Sequence, residues 1–136
     1  MAHIEDSDEV WRRIPSVMVV NDPKVDGGVR PSKEALTDDR NGDPMSVYCA
    51  RLIRDLGHGV PALLDGRPSG WAVAELRVDY LRREEEQDVQ HSPEVSAPEP
   101  NVCDPAHTLV VGEKNKARRE RMAKRARIVL VTDSTS

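Results

Sequence analysis

Apolar residues in this 136-residue chain occur in short runs that are separated by turn-forming residues. No run approaches the roughly 18 apolar residues that a membrane-spanning helix needs, so we expect no membrane segment. Three runs rich in β-branched residues predict buried strands: 16–20, 108–111 and 128–131. A chain of this length can bury enough surface to fold without a metal ion or a disulfide.

Three longer segments are predicted as helices. Residues 44–56 place their apolar side chains at helical spacing, with Asp43 as the N-cap and Gly57 as the stop. Residues 71–86 fit either a strand or a helix, and the charged second half favours the helix. Residues 114–127 form an amphipathic and strongly basic helix.

Together these elements predict the α+β class, as a single small domain over residues 10–131 in which a short sheet is packed by about three helices. We expect residues 1–9 to be a flexible acidic end, although residues 9–13 have the pattern of a short helix. Residues 84–101 predict an acidic, proline-rich loop, and residues 132–136 predict a polar tail.

The start of the chain is acidic and lacks the apolar core of a signal peptide, which favours a cytoplasmic location. In that compartment Cys49 and Cys103 are expected to be reduced thiols. No paired metal-ligand spacing and no common nucleotide-binding or hydrolase motif occurs, so we expect no metal and no cofactor. The composition therefore indicates a binding module more than an enzyme.

Charge is unevenly distributed along the chain. Residues 114–127 contain eight basic residues and one acidic residue, whereas the rest of the chain has 12 basic and 23 acidic residues. The face formed by Arg118, Arg121 and Arg125 can bind an anionic ligand or nucleic acid. Alternatively, the acidic residues around 84–88 can neutralise it. The low aromatic content disfavours a base-stacking surface for nucleic acid.

Two polar segments offer further candidate site residues. Asp104 and His107 precede a predicted strand, where the histidine can act as an acid or base if a carboxylate orients it. The alternative is a histidine that only fixes its loop by hydrogen bonding. Arg30 and Ser32 are suited to binding a small anion, although Ser32 is equally suited to capping a helical turn.

Three sequence segments also carry a resemblance to a known group of proteins. These are Arg30-Pro31-Ser32, then residues 43–48 (DPMSVY), then Asp104-Pro105-Ala106-His107 followed by the basic C-terminal helix. With them the chain resembles a family of small uncharacterised bacterial proteins over roughly residues 11–131. That family has no assigned activity, so the resemblance implies membership and no catalytic role.

Three functions are therefore expected, in this order. The first is a binding module that acts with a protein partner or on an anionic ligand. The second is a small enzyme or ligand-binding protein in which Asp104, His107 and Arg30 form one site. The third is nucleic-acid binding through helix 114–127. The second function requires that the loops carrying Arg30 and His107 meet.

Overall fold

The computed structural model describes residues 2–39, 42–67, 69–94 and 100–132. Its main feature is a six-stranded sheet in which every paired strand is antiparallel to its neighbours. The six strands are β1 (Glu9–Pro15), β4 (Met45–Cys49), β5 (Trp71–Arg77), β6 (Asp88–His91), β7 (His107–Val111) and β8 (Arg127–Val131). Their spatial order is β6-β7-β4-β1-β5-β8. A separate two-stranded ribbon pairs β2 (Val19–Asn21) with β3 (Val29–Pro31).

The α-helices of the described residues are short. They are α1 (Ala50–Asp55), α2 (Val78–Glu84) and α3 (Lys116–Arg125). Among the described residues, 3-10 turns connect these elements at Ser16–Met18, Asp26–Gly28, Lys33–Ala35, Val60–Leu64 and Asp104–Ala106. The coarse prediction of one α+β fold is confirmed, but the sheet is larger than the short sheet that the sequence predicts.

Side chains alternate across the central strands, so the sheet buries residues on both faces. Val10 and Val47 lie on one face with apolar residues of α2 and α3, and we call this the α3 face. Their neighbours Trp11 and Tyr48 lie on the opposite face with residues of α1, and we call it the α1 face. Any functional side chain of a strand is therefore assigned to one face or the other.

The predicted helix at 44–56 is wrong in its first half. Residues 45–49 form β4, and the helix begins only at Ala50. Because β4 lies inside the sheet, it buries Met45 and Val47 on one face and Tyr48 on the other. Burial on both faces places apolar residues at spacings that resemble those of a helix.

Residues 71–86 divide in the same way. The first half is β5, as the alternative strand interpretation predicts, and the second half is α2. The strand forms because Ala72 and Ala74 face one side while Val73 faces the other, and all three are fully or almost fully buried. The helix interpretation is therefore correct only from Val78 onward.

Three other predictions need correction. Residues 9–13 lie in β1 and are not a helix. The predicted strand at 16–20 starts with a 3-10 turn, and its last residues join the ribbon, not the main sheet. The predicted loop at 84–101 contains β6, while its residues 95–99 lie outside the described residues.

The elements at the C-terminal end of the chain agree with the predictions, whereas the N-terminal segment does not. The predicted strands at 108–111 and 128–131 and the basic helix are confirmed as β7, β8 and α3. The segment predicted as a flexible acidic end places Ile4 in the core, with only 2% of its surface exposed. Of the predicted tail at 132–136, residues 133–136 lie outside the described residues.

Candidate functional site

The arginines of α3 that were predicted to bind a ligand pair with glutamates within the chain. These glutamates lie at the end of α2 and directly after it. The three ion pairs are Arg118–Glu86 at 3.1 Å, Arg121–Glu85 at 2.7 Å and Arg125–Glu84 at 3.5 Å. This arrangement matches the alternative in which the acidic residues of the chain neutralise the helix.

Of the three glutamates in these ion pairs, Glu85 has the least exposed side chain. Glu85 is 1% exposed, and its Oε2 atom also accepts a 2.5 Å hydrogen bond from the Tyr80 hydroxyl. Burial alone would raise the pKa of Glu85, but the hydrogen bonds from Arg121 and Tyr80 outweigh it and the pKa is lowered. Burial and the adjacent Glu85 carboxylate raise the pKa of Tyr80, so its hydroxyl remains a donor.

Arg30 and Ser32 lie beside α3, as part of a cavity of about 390 Å³. The Nε atom of Arg30 donates to Asp22 at 2.8 Å, so this guanidinium already has a carboxylate partner. Ser32 occupies the N-cap position of its 3-10 turn, but its side chain makes no capping hydrogen bond. Basic and acidic residues both line the cavity: Arg30, Lys33 and Lys124 with Glu34 and Glu120. The lining is therefore close to electrically balanced.

Asp104 is buried and organises the loop before β7. Its Oδ2 atom accepts a hydrogen bond from the backbone N–H of Asn101 at 3.0 Å. The Asn101 side chain in turn accepts from the backbone N–H of Cys103 at 2.7 Å. These short-range hydrogen bonds lead the chain into the 3-10 turn Asp104–Ala106 and then into β7.

His107 is the first residue of β7 and is 5% exposed. Its Nδ1 atom lies 2.8 Å from the backbone carbonyl oxygen of Ser92, and its Nε2 atom lies 3.0 Å from the Ser46 hydroxyl. A carbonyl oxygen can only accept a hydrogen bond, so in the neutral ring Nδ1 carries the hydrogen. The Nε2 lone pair then accepts from the Ser46 hydroxyl.

Two residues of β4 complete the surroundings of His107. Tyr48 is paired with His107 across the two strands, and their rings meet edge to face with centroids 5.5 Å apart. The Tyr48 hydroxyl accepts a hydrogen bond from Arg13 of β1. We call Arg13, Ser46, Tyr48 and His107 the His107 cluster. It lies on the α1 face of the sheet, because Tyr48 belongs to the apolar cluster on that face.

The residues proposed as one site are therefore not brought together. His107 lies on the α1 face, whereas Arg30 and Ser32 line a cavity with Ala123, which packs on the α3 face. A combined site of Arg30 and His107 is not formed. Ser46 and Tyr48 have no predicted role because residues 44–56 are interpreted as a helix, and Arg13 has none because residues 9–13 have the pattern of a short helix. The alternation of Met45, Ser46, Val47 and Tyr48 is the signal that places Ser46 and Tyr48 on one face.

A second arginine lies near the His107 cluster. The Arg67 guanidinium stacks 5.1 Å from the centroid of the Trp71 ring. Burial and the charge of Arg13 lower the pKa of Arg67. Burial raises the pKa of Tyr48, while the charges of Arg13 and Arg67 act in the opposite direction. Both guanidinium groups are therefore close enough to act electrostatically on the same hydroxyl.

Acidic groups also act at this place. Glu94 lies 3.6 Å from His107 Nε2 and is 42% exposed at its side chain. The charges of Glu94 and Asp104 raise the pKa of Tyr48. The nearby thiol of Cys103 is buried, and this burial raises its pKa to about 11, so the thiol remains protonated at neutral pH. The site thus combines two arginines, a histidine and a tyrosine with two carboxylates.

Within residues 2–39, 42–67, 69–94 and 100–132, no three histidine, cysteine, aspartate or glutamate side chains are grouped so that they could hold a metal ion. Nor does that part of the chain contain a helix with the length and apolar character needed to cross a membrane. Comparisons with family models, with curated proteins and with solved structures find no match to this chain, so the functional argument depends on the geometry of the site.

Proposed function

We propose that this chain is a binding module for a small anionic ligand, which Arg13 holds beside Tyr48 on the α1 face. The observation that supports this function is the set of groups that the Arg13 guanidinium contacts. Its two terminal nitrogens donate to the Tyr48 hydroxyl and to the backbone oxygen of Leu63. No carboxylate of the described residues lies within ion-pair distance of it. A partly buried cation without an anion favours a ligand that supplies one.

The neighbouring residue Arg12 shows the contrast. Its side chain points to the other face of the sheet, where it donates to three backbone oxygens and lies 3.4 Å from Asp39. Arg12 is therefore satisfied within the fold, as a structural arginine should be. Arg13 is its counterpart on the α1 face, and it has free donor capacity.

Arg67 strengthens the case for an anion. Like charges raise each other's electrostatic energy, and the charge of Arg13 lowers the pKa of Arg67. No carboxylate of the described residues forms an ion pair with Arg67 either. An anion between the two guanidinium groups would relieve their repulsion.

Tyr48 supplies a neutral donor at the same place. Because its hydroxyl oxygen accepts from Arg13, its own hydrogen remains free to donate to a ligand oxygen. Burial raises the pKa of Tyr48, which keeps that hydrogen in place at neutral pH. A phosphate or a carboxylate has the several acceptor oxygens that two guanidinium groups and a hydroxyl require.

The other candidate surfaces have weaker support as anion sites. The cavity at Arg30 has a nearly balanced lining, and Arg30 is paired with Asp22. The basic face of α3 is paired with three glutamates. Ion pairing therefore favours the His107 cluster over these two surfaces, because Arg13 and Arg67 form no ion pair with a carboxylate of the described residues, whereas Arg30 and the α3 arginines do. The neutralised face of α3 also favours a small anion over nucleic acid.

The test is calorimetric titration of the purified chain with inorganic phosphate and with pyrophosphate. Replacing Arg13 by glutamine should weaken binding by about 10- to 100-fold, since hydrogen bonds to charged groups contribute roughly 1.5–3 kcal/mol. The matched control Arg30→Gln should change affinity by less than about twofold, because it lies on the other face. Thermal melting establishes that both variants fold.

Two results would contradict this proposal. One is an unchanged affinity in Arg13→Gln together with lost binding in Arg30→Gln, which would place the ligand in the α3-face cavity. The other is the absence of a heat signal with either anion at millimolar concentration in the unaltered chain.

A further inference from the structure

We propose that Ser46 is a nucleophile that accepts acyl groups from carboxylic esters, with His107 as its general base. This goes beyond anion binding, and it depends on the proposed function only in the role of Arg13 toward an anionic part of the ester. The observation that supports this proposal is a pair of hydrogen bonds made by His107. Its Nε2 atom lies 3.0 Å from Ser46 Oγ, and its Nδ1 atom lies 2.8 Å from the Ser92 carbonyl oxygen. A nucleophile, a base and a group that orients the base are the three parts that such chemistry requires.

The fixed tautomer of His107 is the first argument. The Ser92 carbonyl requires a hydrogen on Nδ1, and Nε2 is then the basic atom that faces the Ser46 hydroxyl. The edge-to-face contact with Tyr48 restrains the ring further. His107 is therefore held in the orientation that a general base needs before a substrate arrives.

Accessibility and charge are the second argument. Ser46 is partly exposed, whereas His107 behind it is almost fully buried. The carboxylate of Glu94 lies 3.6 Å from Nε2, where it would stabilise the positive ring that forms when His107 takes a proton. Tyr48 lies two residues along β4 from Ser46 on the same face, and its hydroxyl is bonded to Arg13. These groups can donate to an ester oxygen as negative charge develops on it.

The reaction can be written with all atoms balanced. The Ser46 hydroxyl loses its proton to His107 Nε2 while its oxygen forms a bond to the acyl carbon. The bond from that carbon to the alcohol oxygen breaks, and the alcohol leaves with the proton from Nε2. Water then repeats the sequence, giving up its proton to Nε2, and releases the acid together with free Ser46.

A purely structural hydrogen bond between β4 and β7 is the competing interpretation. It predicts that Ser46 stabilises the fold but never forms a covalent bond. The two interpretations are separated by treating the intact chain with a fluorophosphonate and locating the adduct by mass spectrometry of peptides. In that reaction Ser46 Oγ bonds to phosphorus, fluoride leaves, and the proton passes to His107.

We expect one adduct, located on Ser46, and at least a tenfold slower reaction in His107→Gln. No adduct on Ser46 under excess reagent would overturn the proposal, as would equal rates in the two proteins. Calorimetric titration of the unaltered chain with phosphate separates the two proposals. Anion binding without an adduct on Ser46 overturns the nucleophile alone, and an adduct on Ser46 without anion binding overturns the proposed function alone.

A second variant keeps the test valid if His107→Gln does not fold. Ser46→Cys retains His107, and the introduced thiol should be alkylated by iodoacetamide at least tenfold faster than Cys49 and Cys103 in the same chain. Those two thiols are buried, with pKa values raised by burial. An introduced thiol that reacts no faster than an unstructured cysteine peptide would contradict the activation by His107.

Discussion

Replacing Tyr80 by phenylalanine removes one hydroxyl group and leaves the rest of the ring in place. That hydroxyl donates a 2.5 Å hydrogen bond to Glu85, whose side chain is 1% exposed. The Arg125 guanidinium lies 4.4 Å from the centre of the Tyr80 ring, and phenylalanine should preserve this contact. The substitution therefore isolates the bond between a buried hydroxyl and a buried carboxylate.

The expected magnitude follows from the burial of Glu85. A hydrogen bond to a charged group contributes about 1.5–3 kcal/mol, and water cannot replace the lost donor at a carboxylate that is almost fully buried. Arg121 still binds Glu85 in the variant, at 2.7 Å, so the charge remains paired. We therefore expect Tyr80→Phe to lower the free energy of unfolding by about 2 kcal/mol at neutral pH. For a chain of this size that corresponds to a decrease of about 6 °C in Tm.

The effect should depend on pH in a defined direction. The pKa of Glu85 is lowered in the folded chain from its usual value of 4.5, and Tyr80 is one cause. A lowered pKa stabilises the fold at pH values above the unfolded-state pKa, and this contribution is lost as the pH falls through the folded-state value. The difference between the unaltered chain and Tyr80→Phe should therefore decrease as the pH falls below 4.5, the usual pKa of a glutamate.

Urea unfolding at several pH values, followed by circular dichroism, measures this difference. Tyr48→Phe is the matched control, because its hydroxyl bonds to the Arg13 guanidinium and not to a carboxylate. The control should lose about 1 kcal/mol at every pH. The reasoning is refuted if Tyr80→Phe loses less than about 0.5 kcal/mol. It is also refuted if the loss stays constant as the pH is lowered from 7 into the acid range below 4.5.

Two further predictions concern the core. Gly112→Ala should lower the free energy of unfolding, measured by urea titration, by about 1–3 kcal/mol, because a Cβ at this position would lie 2.7 Å from the buried Gln87 amide. In the control Gly59→Ala the nearest atom would lie 3.7 Å from the added Cβ, so the loss should be smaller. Equal losses in the two variants would contradict this reasoning. Cys49 and Cys103 should react with Ellman's reagent only when the chain unfolds, because both thiols are buried; rapid labelling of two thiols in the folded chain would show that the packing around them is wrong.

The sequence predicts correctly those elements in which the apolar residues follow a single helical or strand spacing. Met122 and Ala123 of α3 are buried together with Ala126, the residue that follows the helix, while charged residues cover most of the rest of α3. The runs at 108–111 and 128–131 are too short for stable helices and are bounded by turn residues, which favours strands. Local pattern alone was sufficient in these three cases.

The central strands could not be predicted in the same way. β1, β4 and β5 bury residues on both faces, so strict alternation of apolar and polar residues is lost. In β1 the polar residues Arg12 and Arg13 occupy opposite faces, where each finds hydrogen-bond acceptors provided by distant segments. Such acceptors depend on the tertiary fold and leave no local signal.

The candidate site could likewise be predicted only in part, because its residues are distant from one another in the sequence. His107 was identified from sequence because it precedes a clear strand. Its partners Ser46 and Ser92 are separated from it by 61 and 15 positions, and they meet it only through the pairing of β4, β7 and β6. The predicted joint site with Arg30 required knowledge of which face each strand residue occupies, and that depends on the register of the sheet.

The most direct measurement of where an anion binds is a two-dimensional ¹H–¹⁵N NMR titration of the chain with pyrophosphate. Arg13 binding predicts shifts at the backbone of Tyr48 and His107 and at the indole N–H of Trp71, which vanish in Arg13→Gln. Shifts confined to the neighbourhood of Arg30 and α3, or a spectrum that pyrophosphate leaves unchanged, would contradict the claim that the α1 face holds the ligand.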